Sequence, residues 1–188
     1  VISPWNYPFQ LALLPAMSAF AAGNSVVLKP SEHTPNTSRL VKKIVEKVFP
    51  TEIMSVVEGD SKTASKLLEK KWDYIFFTGS VKIGEIVAMA AAKKLTPYTL
   101  ELGGKSPAII NSDTDLKLAS KRIVWGKFLN SGQTCVAPDY LVAHKSIKGT
   151  LIKELINRIE KTLGKQLEKT DDFTAIVNEK NLNRLVGQ

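Results

Sequence analysis

Cys135 is the first residue that could carry chemistry, and it is the only cysteine among 188 residues. It ends the hexapeptide "NSGQTC" at residues 130–135. A thiol becomes a strong nucleophile when it is ionised or lies beside a base, and it can then attack a carbonyl carbon. A lone cysteine is more often an inert, buried side chain. From this stretch alone, both interpretations stay open.

Two further polar residues could assist such a nucleophile. Glu101 lies between two leucines in "LELGG", and a partly desolvated carboxylate there would suit proton abstraction. Period-2 alternation along a strand could equally turn it to solvent. Asn6 lies in "PWNYP", where prolines and aromatic residues could hold its amide as a donor to an oxyanion. The alternative is a structural turn with aromatic packing.

Two motifs stand where a strand ends, which is where open α/β sheets bind ligands. In "FFTGSVKIG", a turn at Gly79 and Ser80 leads into a helix through Gly84, and free N–H groups there suit a phosphate. In "LKPSE", Lys29 could donate to sugar hydroxyls or phosphate, and Glu32 could accept from a ribose diol. The alternatives are a simple glycine turn, and a surface lysine beside a helix-capping glutamate.

The elements that must position these residues alternate regularly. Short β-branched or aromatic runs predict strands, and apolar stripes of period 3.6 predict the helices between them. The predicted strands are 25–29, 53–57, 74–78 and 98–102, and the helices between them end near residues 50, 71 and 94. Ser61 is the predicted cap of the second of these helices. This order predicts βαβ units and a mainly parallel sheet.

After the double glycine at 103–104 the pattern starts again. It predicts a strand at 108–110, a helix from about Asp115, a strand at 140–144, and a strongly amphipathic helix. The core side of that last helix is predicted to carry seven apolar residues: Ile147, Leu151, Ile152, Leu155, Ile156, Ile159 and Leu163. The two glycines therefore indicate a hinge or a domain boundary.

Composition excludes several classes of function. The net charge is +8, but the lysines are spread over helical faces without interleaved aromatic residues, so we expect no nucleic-acid partner. A single cysteine allows no internal disulfide, which favours a reducing cytoplasm. The apolar stretches are too short for a membrane span, and no signal peptide or metal-binding pattern is visible. The chain begins without Met and ends in a predicted helix, so we expect a piece of a longer protein.

Taken together, "PWNYP", "LKPSE", "FTGS", "LELGGKSP" and "GQTC" resemble the aldehyde dehydrogenase superfamily, in this order along the chain. The sequence around these motifs is most similar to the class 3 branch, which takes fatty and aromatic aldehydes. Examples are "AAGNSVVLKPSE" and "WGKFLNSGQTCVAPDY". The resemblance runs through essentially the whole chain and is weakest after about residue 146.

The resemblance implies a role for each catalytic candidate. Cys135 would attack the aldehyde to give a thiohemiacetal, and the Asn6 amide with the N–H of Cys135 would hold the oxyanion. Hydride transfer to NAD, or to NADP, would leave a thioester, which water activated by Glu101 would hydrolyse. The cofactor-binding residues that it implies are Trp5, Lys29, Ser31, Glu32, Gly79, Ser80, Ile83, Gly84, Leu102 and Gly103. A carboxylate at Glu32 would repel a 2′-phosphate and so favour NAD, although class 3 members often accept NADP.

The resemblance also implies the architecture. Residues 1–102 would form part of a Rossmann-like, parallel-sheet NAD(P)-binding domain, and residues 103–188 the start of an α/β catalytic domain. The full-length protein would be a homodimer or homotetramer. The family's later E-x-F-G-P segment is absent, so we expect the 188 residues alone to be inactive. A relative that keeps the fold but has lost turnover is the alternative, and the presence of both Cys135 and Glu101 favours an enzyme.

Overall fold

A computed structural model describes residues 1–164 and 173–187. The chain forms two compact units, an N-terminal unit at Val1–Leu102 and a C-terminal unit that begins at Gly103. Both are of the α/β class, and every strand pairing is parallel among the described residues. The prediction of a parallel α/β fold is therefore confirmed.

The N-terminal unit is built on a parallel sheet whose centre is a single residue. Strands β1 (Val26–Leu28) and β2 (Met54–Val56) pair with each other, as do β3 (Ile75–Thr78) and β4 (Tyr98–Glu101). Ile2 bridges both pairs, because it lies beside Lys29 after β1 and beside Phe77 in β3. The spatial order is therefore β2-β1-Ile2-β3-β4.

Four helices connect these strands: α1 (Gln10–Ala21), α2 (Pro35–Val48), α3 (Ser61–Leu68) and α4 (Val81–Ala92). The first was not predicted, since Pro15 lies inside it and interrupts the expected helical pattern. Its small residues Ala12 and Ala16 pack against β1 and β2 in one buried cluster. A second cluster joins β3 to α4 through Phe77 and Val87. These buried clusters hold the strands in place, and with them the residues that follow each strand.

The C-terminal unit has one pair of described strands, β5 (Ser106–Ile110) and β6 (Pro138–Ala143). Helix α5 (Leu116–Phe128) lies between them in sequence, and α6 (Lys148–Leu163) follows β6 and packs against α5. Helix α7 (Glu179–Val186) lies near the end of the chain. Among residues 1–164 and 173–187, no helix combines the length and the apolarity needed to cross a membrane.

Two local predictions were wrong. The cap of α3 is Asp60 rather than Ser61, because the Asp60 carboxylate accepts hydrogen bonds from the N–H groups of Lys62 and Thr63. On α6, Ile152 and Ile156 are exposed, although they were predicted to face the core. Only part of the apolar face of α6 is covered by other residues of the described structure.

Candidate active site

Cys135 follows a turn of unusual backbone geometry. Asn130, Ser131 and Gly132 adopt φ values of 52°, 55° and 73°, so three consecutive residues are in the left-handed region. The first two are not glycine. Asn adopts this region more readily than most residues, whereas for Ser131 it costs free energy that the surroundings must offset. The Cys135 side chain is a free, exposed thiol. Cys135 is therefore not buried in this structure, and a small molecule can reach the thiol, while its role as a nucleophile stays a prediction.

The side chain of Gln133 bonds on both sides of this turn. Its Nε2 donates to the carbonyl of Asn130 at 3.0 Å and to that of Ala175 at 3.2 Å. Its Oε1 accepts a hydrogen bond from the N–H of Val177 at 3.0 Å. Next to it, Ser131 Oγ donates to the carbonyl of Thr174. The turn before Cys135 is therefore attached to a segment about forty residues further along the chain.

On its other side the backbone of Cys135 lies against Gly104. A Cβ atom at position 104 would stand 2.7 Å from the Cys135 carbonyl oxygen, which is closer than real Cβ contacts. At the beginning of β6, Asp139 forms an ion pair with Lys105 at 3.0 Å and approaches Lys127 at 4.0 Å. These contacts hold the start of β5 beside the segment that carries the thiol.

Glu101 is the last residue of β4, where it pairs with Thr78 of β3. Its backbone carbonyl accepts a hydrogen bond from the N–H of Gly79 at 2.9 Å. Leu100 and Leu102 on either side pack against the second cluster, and strand alternation turns the Glu101 side chain outward. The carboxylate is exposed, so the solvent-facing alternative is the one observed and the partly desolvated one is wrong. An exposed carboxylate at a strand end can accept a proton from water.

Trp5 and Asn6 lie in the connection between the bridging residue Ile2 and helix α1, and both are half-buried. The path of this connection is fixed at its start, since the N–H of Ser3 donates to the carbonyl of Lys29 at 3.1 Å. It is fixed again at its end, where the N–H of Leu11 donates to the carbonyl of Tyr7 at 2.9 Å. Asn6 therefore sits on an ordered segment beside the carboxyl end of β1.

Lys29 and Glu32 are brought together at that strand end. Lys29 Nζ lies 2.7 Å from Glu32 Oε2, and only 4% of the lysine side chain is exposed. Burial raises the pKa of Glu32, but hydrogen bonds from Lys29 and the backbone and the charges of Lys29 and His33 outweigh it, so this pKa lies below its ordinary value. The carboxylate stays ionised at neutral pH, with oxygen atoms that can accept from a diol.

The beginning of α4 fits an anion. Ser80 is the N-cap, but its side chain caps no N–H group of the helix. The first-turn N–H groups of a helix have no partner within it, and the helix dipole favours negative charge there. Ser80, Lys82 and Ile83 are exposed around this end, and Lys82 adds a positive charge. The arrangement can hold a phosphate group.

The remaining predicted cofactor residues include two glycines, at 79 and 84, whose neighbours leave no room for a side chain. A Cβ on Gly79 would meet the Phe77 ring at 2.5 Å, and one on Gly84 would meet Leu102 at 2.8 Å, so the chain itself occupies the space at both glycines. Gly103 is exposed. Ser31 is buried, and its hydroxyl accepts from the N–H of His33 at 3.3 Å.

Comparisons with known proteins show the family of this chain. A sequence model described as "Aldehyde dehydrogenase family" matches residues 1–188. The chain belongs to the aldehyde dehydrogenase family. The resemblance predicted from the motifs is confirmed, including its class 3 character, since several similar curated proteins carry the name aldehyde dehydrogenase family 3.

Three members of the family illustrate the likeness. The chain is 45% identical to the 4,4'-diaponeurosporen-aldehyde dehydrogenase of Staphylococcus aureus, with 100% of the chain and 41% of that protein covered. It is 43% identical to the dimeric NADP-preferring aldehyde dehydrogenase of Mus musculus, with the same two coverages of 100% and 41%. The substrate-bound structure of Staphylococcus aureus AldH matches with a TM-score of 0.91 at 44% identity, covering 100% of this chain and 41% of that one. The chain therefore spans about two fifths of the length of these aldehyde dehydrogenases.

Sequence reasoning assigned no role to Gln133, Gly104 or Lys82. Gln133 stands inside the quoted stretch before Cys135, yet its bonding partners lie 42 and 44 positions away. Gly104 was interpreted only as part of a hinge. The position of Lys82, two residues after Ser80 in the first turn of α4, was the available signal for an anion-binding helix end.

Proposed function

We propose that the full-length aldehyde dehydrogenase to which this chain belongs oxidises an aldehyde to a carboxylic acid with NAD(P). The observation that carries this proposal is the exposed Cys135 thiol on a turn held from both sides. A thiolate adds to a carbonyl carbon and also leaves from an acyl group, so one residue serves both halves of the reaction.

In the first half, the Cys135 thiolate attacks the aldehyde carbon and forms a thiohemiacetal. The Asn6 amide and the backbone N–H of Cys135 stabilise the oxyanion, a type of contact that contributes on the order of 3 kcal/mol to lowering a barrier. The thiohemiacetal carbon then loses a hydride to the acceptor that NAD(P) would supply when bound, and this loss leaves a thioester on Cys135. In the second half, the Glu101 carboxylate takes a proton from water, the water oxygen attacks the thioester carbon, and the Cys135 thiolate leaves.

Except for Gly103, the residues that would hold the cofactor belong to the N-terminal unit. The first turn of α4, with Ser80 and Lys82, suits the pyrophosphate. Lys29 and Glu32 suit the hydroxyls of a ribose, and Ile83 offers an exposed apolar surface for the adenine. Trp5, Ser31, Gly79, Gly84, Leu102 and Gly103 shape the surrounding surface in this proposal. The ionised Glu32 would repel a 2′-phosphate, so we propose NAD as the preferred cofactor and NADP as a second one.

The substrate that we propose is an apolar aldehyde. The Staphylococcus aureus relative is named for 4,4'-diaponeurosporen-aldehyde. The class 3 branch, which this sequence resembles, takes fatty and aromatic aldehydes. We further propose that the full-length protein is a homodimer or homotetramer. Light scattering of the purified protein measures this number directly.

The test is a steady-state assay of the full-length protein with short, long and aromatic aldehydes and each cofactor. We expect NADH or NADPH to form, with the largest kcat/KM on an apolar aldehyde, and Cys135→Ala to lower kcat by at least about 10³-fold. Glu101→Gln should leave acylation of Cys135 intact and slow its hydrolysis. A wild-type protein that folds and binds NAD but turns over no aldehyde would instead be a relative that has lost catalysis.

A further inference from the structure

We propose that Gln133 is a positioning residue for the nucleophile, through a set of contacts that we call the Gln133 bridge. The bridge consists of the Gln133 amide, the carbonyls of Asn130 and Ala175, and the N–H of Val177. This inference rests on the proposed function, in which Cys135 attacks the aldehyde.

The amide of Gln133 uses both of its ends in the bridge. Its nitrogen donates at 3.0 Å and 3.2 Å to two carbonyls, and its oxygen accepts at 3.0 Å from one N–H. Two of these partners, Ala175 and Val177, lie two residues apart on the same segment. A side-chain amide that both donates to and accepts from one extended segment fixes the register between that segment and the turn.

The bridge contacts a turn of three residues whose backbone lies in the left-handed region. Asn130 and Ser131 have φ near +50°, at 52° and 55°, and Gly132 follows at 73°. For a serine this region costs free energy, and Ser131 keeps it because contacts from the surrounding structure stabilise the turn. The Gln133 nitrogen binds the carbonyl of Asn130, the first residue of the left-handed run, and closes the turn back onto itself.

Two further contacts attach the same segment to the same turn. Ser131 Oγ donates to the carbonyl of Thr174. The rings of Phe128 and Phe173 approach with their centroids 6.3 Å apart. Residues 173–177 therefore lie along the whole length of the stretch 128–133, with Gln133 at the end nearest to Cys135.

Only Thr134 separates Gln133 from Cys135 in the chain. A shift of the turn therefore moves both the thiol and the Cys135 N–H that would bind the oxyanion. A misplacement of about 1 Å in such a group can cost about 10²-fold in rate. The bridge should thus act on kcat through Cys135, without a contact of its own with the substrate.

The experiment compares variants of the full-length protein. Gln133→Met keeps the length of the side chain and removes all three hydrogen bonds. We expect its kcat to fall by about 10- to 100-fold per folded molecule, with the KM for NAD changed by less than about twofold. Hydrogen exchange at residues 173–177 should become faster. Ser65→Ala, which removes a 3.0 Å hydrogen bond from a side chain to the Ser61 carbonyl on α3, is the matched control and should behave as the wild type.

Gln133→Glu supplies a second, reversible test. The ionised carboxylate keeps the acceptor for Val177 but faces the carbonyls of Asn130 and Ala175, whereas the protonated acid can again donate to one of them. The ratio of its kcat to that of the wild type should therefore rise as the pH falls from about 8 to about 6, because such a site raises the carboxyl pKa. A role limited to folding gives no such pH dependence.

The outcomes separate the two proposals. Wild-type kcat per folded molecule in Gln133→Met, whether or not its Tm is lower, overturns the positioning role and leaves Cys135 as the nucleophile. A flat pH ratio for Gln133→Glu also overturns it, even if Gln133→Met fails to fold. Turnover that survives in Cys135→Ala overturns the proposed function itself and, with it, the role of Gln133.

Discussion

The two units of this chain place their candidate residues by different means. In the N-terminal unit, two buried apolar clusters include residues of β1, β2 and β3, and the candidate residues stand where strands end. The first cluster consists of Ala12, Ala16, Val26, Leu28, Val41, Val45, Met54 and Val56, and the second of Leu68, Ile75, Phe77, Val87 and Ala91. The position of Lys29 or Ser80 follows from the hydrophobic burial of the strand before it.

The C-terminal unit has a thinner apolar core in its described part. Its buried apolar residues are Ile110, Val124, Ala137, Leu151 and Leu163. Pro107 and Ile109 on β5 pair with Tyr140 and Val142 on β6, and all four are exposed on one face of the sheet. Cys135 is held instead by the Gln133 bridge and by the close fit of Gly104.

The difference indicates that strand ends in the N-terminal unit, where we propose that the cofactor binds, tolerate substitution better than the turn before Cys135, the proposed nucleophile. Hydrophobic burial is non-directional, so a strand end tolerates small changes around it. Hydrogen bonds and a glycine fit depend on tenths of an ångström and on angle. Core substitutions in the N-terminal unit should therefore cost stability, whereas substitutions around Cys135 should cost rate.

The largest effect should come from the core of the N-terminal unit. Met54→Ala removes a side chain that is 1% exposed in β2 and should lower the free energy of unfolding by about 2–5 kcal/mol, measured by urea denaturation. Met89→Ala on α4, where the side chain is 60% exposed, is the control and should change it little. A large fall of kcat per folded molecule in Met54→Ala would contradict the expectation that core substitutions in this unit lower stability rather than rate.

The next effect concerns the fit of Gly104 beside Cys135. Gly104→Ala places a Cβ 2.7 Å from the Cys135 carbonyl oxygen and forces that backbone to move. We expect kcat to fall about tenfold or more, with a small change in Tm. Gly149→Ala in α6, where a Cβ meets nothing within 4 Å, is the control, and its kcat should equal that of the wild type. Equal kcat values for both variants would show that the fit at Gly104 does not position Cys135.

A smaller effect should arise at the end of α3. Lys94 Nζ donates to the carbonyls of Leu68 at 3.2 Å, Lys70 at 2.8 Å and Glu69, and so satisfies the last turn of that helix. Lys94→Met should lower the free energy of unfolding by about 1 kcal/mol. Lys93→Met, its exposed neighbour, should not. A loss in both variants alike would assign the effect to net charge rather than to the cap.

The smallest effect should be the pH dependence of the Lys29–Glu32 pair. The pKa of Glu32 is lower in the folded chain than its ordinary value of 4.5, so its ionised form stabilises the fold above that pH. This contribution is lost as the pH falls below about 4.5 and through the folded pKa. The difference in stability between the wild type and Glu32→Gln should be less than about 1 kcal/mol at neutral pH and should shrink on acidification.

The control for that measurement is Glu46→Gln, whose partner Lys42 lies 3.9 Å away on the exposed face of α2. Its stability difference from the wild type should be close to zero at every pH. If both variants show the same change of stability with pH, the Lys29–Glu32 pair contributes no more electrostatic stability than the exposed Lys42–Glu46 pair.

Much of the fold could be predicted because strands and helices have different apolar periods. The predicted strands agree with β1 to β4 within one residue at each end. Helix α1 was missed because Pro15 breaks the helical pattern, although burial of Ala12 and Ala16 keeps the helix in place. The cap of α3 was misplaced by one residue, since both Asp60 and Ser61 can accept N–H bonds.

The candidate site was predictable in its residue types and much less in its geometry. The motifs around Asn6, Glu101 and Cys135 were enough to predict the family. Whether Cys135 was buried or exposed stayed open, and so did the face on which Glu101 stands. Each depends on what covers the residue, and that covering comes from elsewhere in the chain.

The sequence by itself determined the order of strands β1 to β6 and of the helices after α1, the parallel sheet and the membership of the aldehyde dehydrogenase family. These follow from periodicity and from short motifs, which are local properties of the chain. Only the tertiary structure decided that Cys135 is exposed, that Gly104 abuts its carbonyl, and that Gln133 bonds to residues 42 and 44 positions away. Contacts over such separations depend on the path of the chain between them, and no local pattern records that path.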